Sequence, residues 1–210
     1  MHLDEIIAKL RIKLSQPLPG REGQILMAPR PVDESRFSFQ EGGLARKGAV
    51  LLLLYPYEHG VAVPFIKRPA YDGVHGGQIS LPGGKWEKTD ESLSHTALRE
   101  AEEEIGIDAR KVEIIGTLSN LFIPPSNFSV FPYIGIMRET PVFRPDPLEV
   151  DRIIHCDFND LMNPGIRKST KLKVRGKYEL QAPYFDIEQE VVWGATAMIL
   201  SELMVLWDKS

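Results

Sequence analysis

Cysteine is nearly absent from this chain. Its 210 residues include one, Cys156, so no internal disulfide can form, and no paired thiols suggest a zinc site. His75, His95 and His155 show no ligand spacing, which argues against a histidine metal centre. A long hydrophobic run is missing too. The longest strongly apolar stretch, AVLLLLY from Ala49 to Tyr55, is far too short to span a bilayer. Excess charge of one sign is also lacking: the formal net charge is −4 and the pI about 5.8, which gives no general attraction to nucleic acid or anionic membrane. Any phosphate chemistry must therefore be local. With 43% hydrophobic and 26% charged residues the composition is ordinary, and the length suits one domain with a sizeable core. Met1 to Leu14 mixes charges among Leu3, Ile6, Ile7, Leu10 and Leu14, the spacing of an amphipathic helix rather than of a signal peptide. The expectation is a cytoplasmic protein in a reducing compartment.

Pro17, Pro19, Gly20 and Gly23 break the leading helix, and an irregular segment follows to about Lys47. Residues 1–47 are read as a helix with an extension, open to a role in a homodimer, and residues 48–207 as the main domain. Gly48 to Tyr55 predicts a buried strand. Val61 to Arg68 predicts its hairpin partner, with Pro64 placing it nearer an edge. Turn chemistry in YDGVHGG leads to a short strand into Leu81, and a helix is expected from Ser92 to Gly106, where the glycine marks the stop. Further strands are expected at Val112–Leu118, Phe128–Met137, Ile153–Phe158, Lys171–Val174 and Tyr178–Ile187, with a closing helix from about Val192 to Leu206. Strands interspersed with helices predict an α/β or α+β fold with a mixed sheet.

The segment LPGGKWEKTDESLSHTALREAEEEIGI, Leu81 to Ile107, carries the chemistry. On a helix, Glu100, Glu103 and Glu104 fall within an arc of about 100°, while Glu102 points away. Like charges three or four residues apart repel, each pair costing roughly 0.2–0.5 kcal/mol, and anions near a helix C-terminus oppose its dipole. Leu98, Ala101 and Ile105 form the adjoining apolar stripe, so the carboxylates border the core. Taken alone, an acidic run is a solvated face. A hard divalent cation would resolve the conflict, because oxygen ligands on one rigid face suit Mg²⁺ or Mn²⁺.

From Gly83 to Ile107 the chain resembles the Nudix box, G-x5-E-x7-R-E-U-x-E-E-x-G-U, where U is a bulky apolar residue. Arg99, Glu100, Ala101, Glu103, Glu104, Gly106 and Ile107 take their places. Counting from Gly84, Asp90 stands where the first Glu belongs, and Arg99 comes one residue later than the general spacing. The coenzyme A diphosphatase branch of the family has that same extra residue, with Asp at this position and the TALRE of Thr96 to Glu100. The spacing from Arg68 through Gly77 to Pro82, Gly83 and Gly84 is similar to that branch's upstream signature, LLTxR-small-xxx-R-xxx-G-xxx-FPGG. Pro64, Phe65 and Ile66 replace LLT, Pro69 the small residue, Gly73 the second Arg and Leu81 the Phe. IPPSNFSVFPYIG and WGATAMIL also look like segments of the branch.

The resemblance implies a Nudix fold: an α/β/α sandwich with a central mixed sheet and a loop-helix-loop. Glu100, Glu103 and Glu104 become ligands of Mg²⁺ or Mn²⁺, with Glu103 and Glu104 essential to turnover. Gly83 and Gly84 let the backbone approach the substrate, the alternative being an ordinary loop, and Arg68 contacts phosphate or else forms a surface salt bridge. Glu149, in PLEVDRII, is the candidate general base, the alternative being an exposed loop glutamate. Asp90, Glu91, Arg99 and Gly106 are structural; Arg99 lies on another side of the helix and holds an acidic loop residue such as Asp90 or Glu91. The implied reaction is hydrolysis of coenzyme A or an acyl derivative to 3′,5′-ADP and 4′-phosphopantetheine. Two rivals stand beside it: a Nudix enzyme for ADP-ribose, NADH or another dinucleotide, and a non-catalytic nucleotide-binding regulator. The implied partner is a small nucleotide, with neither nucleic acid nor membrane.

Overall fold

A computed structural model describes residues 1–37, 45–70, 76–174 and 178–209. Gly73, His75 and the irregular run before Lys47 lie wholly or partly outside the described residues. Helices are α1 (Leu3–Leu14), α2 (Arg21–Gln24), α3 (Leu93–Ile105), α4 (Phe158–Met162) and α5 (Gly194–Asp208). Strands are β1 (Arg46–Tyr57), β2 (Gly60–Lys67), β3 (Ile79–Ser80), β4 (Gly83–Lys85), β5 (Glu113–Thr117) and β6 (Leu121–Ile123). They continue with β7 (Phe128–Ile136), β8 (Arg152–Asp157), β9 (Arg167–Val174), β10 (Tyr178–Ile187) and β11 (Glu190–Trp193).

The central sheet is mixed: β1 runs parallel to β7 over Arg46–Leu54 and antiparallel to β2 and β4. Its path is β3-β2-β1-β7-β5, with β4 on β1, β6 on β7 and β8 on β2. The apolar run in β1 follows from burial on both faces. Ala49, Leu51, Leu53 and Tyr55 join the core beneath α3, with Ala97, Ala101 and Ile105 of that helix. Leu52 and Leu54 join the opposite core, with Ile6, Ile7 and Leu10 of α1 and most of α5. The layers are therefore helix, sheet, helix. Residues before Lys47 belong to this packing: Ile6 and Leu10 are fully buried, and β1 begins at Arg46.

Two readings need correction. Pro64 is not on an edge strand, since β2 pairs β8 throughout Ala62–Lys67. On its other side β1 covers Gly60–Ala62 and β3 covers Ile66–Lys67, so Val63–Phe65 have no ladder partner there, where a missing N–H is tolerated. Strands β9, β10 and β11 form a separate three-stranded sheet in which β10 pairs both others. Finally, Val192 and Trp193 end β11 rather than starting α5, because Gly194, at φ 66°, turns the chain before the helix.

Candidate active site

Helix α3 is delimited as its sequence predicts. Ser92 Oγ accepts the His95 N–H at 3.1 Å, and Gly106 ends the helix in the left-handed region at φ 69°. Along it the three expected ligands have unequal surroundings. The Glu104 side chain is 1% exposed; its Oε2 accepts the Gly83 N–H at 2.7 Å and its Oε1 accepts from Arg68 Nη2 at 3.1 Å. Burial raises its pKa to about 7, against the opposing pull of Gly83 and Arg68, and Glu100 and Glu149 push it further up. Glu100 is also raised, first by burial and then by Glu103 and Glu149, although Arg99 lowers it. Glu103 is the outer member, with a side chain 58% exposed.

Arg99 is not turned away from these carboxylates as expected. Its Nη1 donates to Glu103 Oε2 and its Nη2 to Glu100 Oε1, both at 2.9 Å, while Nε and Nη2 grip Asp90 at 2.9 and 3.1 Å. Asp90, not Glu91, is thus its loop partner. Asp90 also accepts from Thr96 Oγ1 and the Glu87 N–H, each at 2.9 Å, and Arg99 beside it holds the carboxyl well below the usual range. Glu91 offers its backbone N–H to His95 Nδ1 at 3.3 Å. His155 is likewise engaged, its Nδ1 2.5 Å from the Tyr55 hydroxyl.

The glycines serve the carboxylates. Gly83, at φ 147°, turns its N–H onto Glu104, and a β-carbon there would come within 2.5 Å of Val50 Cα. One on Gly84 would come within 2.5 Å of Glu100 Cδ. Glu149 is exposed, on the loop after β7, and its charge raises the pKa values of Glu100 and Glu104. There the Arg144 N–H donates to the Ile105 carbonyl at 2.9 Å and the Asp146 N–H to the Glu104 carbonyl at 3.0 Å, both at the C-terminal end of α3. Sequence reasoning picked out Glu149 but not this attachment. Its local signal was Asp146-Pro147, Asp at the first and Pro at the second position of a turn.

Hard carboxylate oxygens that raise one another's pKa are a donor set suited to a hard divalent cation. Among the described residues, however, no three His, Cys, Asp or Glu side chains stand in a geometry that would hold a metal ion. Arg99 and Arg68 occupy oxygens of the expected ligands instead. Cys156 has no part in the site: burial, then Asp160, Asp157 and Glu188, push its thiol up to about 12.

A sheet split around β1, with a glycine loop and an acidic helix packed at one end, defines a Nudix-type domain. A family profile described as the NUDIX domain matches residues 45–175, and the chain belongs to that family. It is 35% identical to Nudix hydrolase 22, chloroplastic, of Arabidopsis thaliana over 162 residues, 74% of this chain and 53% of that protein. Against the uncharacterized Nudix hydrolase NudL of Pectobacterium atrosepticum it is 33% identical over 134 residues, 61% of this chain and 66% of the relative. The chain thus spans roughly half to two thirds of these relatives. A MutT/nudix family protein from Enterococcus faecalis shares the fold at a TM-score of 0.53 and 17% identity, over 81% of this chain and 65% of the other. Among the described residues, no helix is long and apolar enough to cross a membrane.

Proposed function

We propose that the protein hydrolyses the diphosphate linkage of a nucleotide derivative with Mg²⁺ or Mn²⁺, and that its substrate is coenzyme A or an acyl-coenzyme A, giving 3′,5′-ADP and (acyl-)4′-phosphopantetheine. The observation that carries the reading is Glu104, a carboxylate 1% exposed, held by the Gly83 N–H and pressed by Glu100 and Glu149. Glu100, Glu103 and Glu104 would hold the cation once Arg99 and Arg68 give up the carboxylate oxygens they occupy. When bound, it neutralises charge building on the phosphate oxygens and acidifies a water. Glu149 takes the proton from the attacking water. Arg68, anchored on Glu104, faces the substrate's phosphates. Asp90 and Arg99 fix the loop against the helix, so that Gly83 and Gly84 bring backbone within reach of the linkage. The choice of coenzyme A is supported by the extra residue before Arg99, the Arg68-to-Gly84 spacing and the WGATA segment. One cysteine and a buried thiol suit a reducing compartment such as the cytoplasm.

The test is a set of product-resolved initial rates with Mg²⁺ on coenzyme A, dephospho-coenzyme A, ADP-ribose, NADH and diadenosine polyphosphates. Coenzyme A or a short acyl derivative is expected to have the highest kcat/KM. A clear preference for ADP-ribose or NADH would overturn the substrate and keep the chemistry; hydrolysis of none would favour a nucleotide-binding regulator. Glu104→Gln is expected to abolish most turnover and shrink the Mg²⁺-induced rise in Tm.

A further inference from the structure

The loop that brings Glu149 to the carboxylates is organised by one residue. Asp146 makes four hydrogen bonds within and beyond its own turn. Its N–H donates to the Glu104 carbonyl at 3.0 Å, and its Oδ1 accepts the Leu148 N–H at 2.8 Å. Its carbonyl accepts the Glu149 N–H at 3.1 Å and the Val150 N–H at 2.8 Å. The first bond fastens the turn to the backbone of a residue whose side chain is a proposed metal ligand. The other three fix the backbone of Glu149 relative to that anchor. Pro147 sets φ at the second position of the turn, and Val150, 2% exposed, plugs the far end into the core under α3. Glu149 itself is exposed, and among the described residues no hydrogen bond to its carboxylate is seen. Its position therefore comes from its backbone.

We propose that Asp146 is a positioning residue for Glu149: through the Oδ1 bond to Leu148 and the carbonyl bonds to Glu149 and Val150, it sets the backbone from which the proton-accepting carboxylate reaches toward the helix that presents Glu100 and Glu104. The inference rests on the hydrolase reading above and on Glu149 as base. Leu148, 86% exposed, contributes only its backbone N–H to this device, so its side chain is free to vary without effect on it.

The experiment compares Asp146→Ala, Asp146→Asn, Glu149→Gln and the double variant D146A/E149Q. It reads kcat, KM, the half-saturating Mg²⁺ concentration, and amide hydrogen exchange at Leu148, Glu149 and Val150. Asp146→Ala is expected to lower kcat by roughly 10- to 100-fold, since a catalytic group displaced by about an ångström loses that much. KM and the Mg²⁺ requirement stay within about twofold, and the three amides exchange faster. Asp146→Asn keeps an oxygen acceptor at the same place and should restore both rate and protection. In the Glu149→Gln background Asp146→Ala should add little, because the two act on one step. Unchanged exchange in Asp146→Ala overturns the proposal whatever the rates. So do losses that multiply in the double variant, or an effect confined to the Mg²⁺ requirement. Wild-type rates in Glu149→Gln would remove the base, and the positioning with it, while metal-dependent turnover would keep the hydrolase reading intact. No turnover by the wild type on any substrate would sink both.

Discussion

Asp90 has its whole carboxylate inside the protein, 0% exposed, and spends it on Arg99, Thr96 and the Glu87 N–H. Arg99 in turn reaches Glu100, Glu103 and the Lys85 carbonyl, so one guanidinium ties the glycine loop to the acidic face of α3. Asp90→Asn keeps the shape and removes the charge. It is expected to cost about 2 kcal/mol at pH 7, the scale of hydrogen bonds to charged groups. The folded pKa of Asp90 is depressed, so its contribution is fully present above the unfolded value near ~3.9 and fades as pH falls toward the folded value. Urea unfolding of both proteins at pH 7 and pH 3 checks this: the gap should narrow at the lower pH. A constant gap would mean that Asp90 acts by shape alone.

At the level of elements, α3 is useful because both its ends are attached. Its C-terminal glycine does two jobs: Gly106 takes φ 69°, and a β-carbon there would come within 2.5 Å of the Arg144 carbonyl oxygen. That carbonyl belongs to the loop that delivers Asp146 and Glu149. Gly106→Ala is therefore expected to lower stability by about 1–2 kcal/mol for the left-handed backbone. It should also lower kcat, because the loop must shift away. Denaturant titration and initial rates measure the two together; a stability loss with unchanged kcat would show that the loop is indifferent to the helix end. The helix and its stop were legible in the sequence, since Ser92, the stripe of Leu98, Ala101 and Ile105, and Gly106 are local signals. The extended three-residue strands β4 and β6 were not, being too short to show alternation.

Over the whole molecule, the layer opposite α3 is closed by α5 together with the N-terminal residues. Glu202 of α5 is fully buried and accepts the Gly20 N–H at 3.0 Å, the Ser119 N–H at 3.2 Å and Gln24 Nε2 at 2.9 Å. It pins the segment before β1 to the loop after β5. Ser201 adds a bond from its hydroxyl to the Gly23 carbonyl at 2.7 Å. Glu202→Ala would leave three donors without their acceptor in the interior and is expected to cost about 3 kcal/mol. Proteolysis should then begin near residues 17–24, with α3 and its loop still protected. Cleavage spread evenly over the chain would show that the N-terminal segment and the central sheet unfold as one unit.

Sequence alone determined what depends on neighbours along the chain. These are the buried strand β1, the amphipathic α1, the helix α3 with its glycine stop, and the stripe of Glu100, Glu103 and Glu104 with the glycine pair before it. Each reflects a period of two or 3.6 residues, or a residue suited to one backbone conformation. Tertiary structure decided everything that required distant segments to meet. It chose Asp90 over Glu91 for Arg99, a distinction of one residue that only burial of one carboxylate could make. It set Arg68 on Glu104 from 36 residues away, and it fastened the turn at Asp146 to the Glu104 carbonyl at the end of the acidic helix. It also separated β9, β10 and β11 from the central sheet, although their pattern reads like that of any other strand. Helix-end carbonyls, buried charges and strand edges need partners, and which partner arrives is set by the packing of the whole chain.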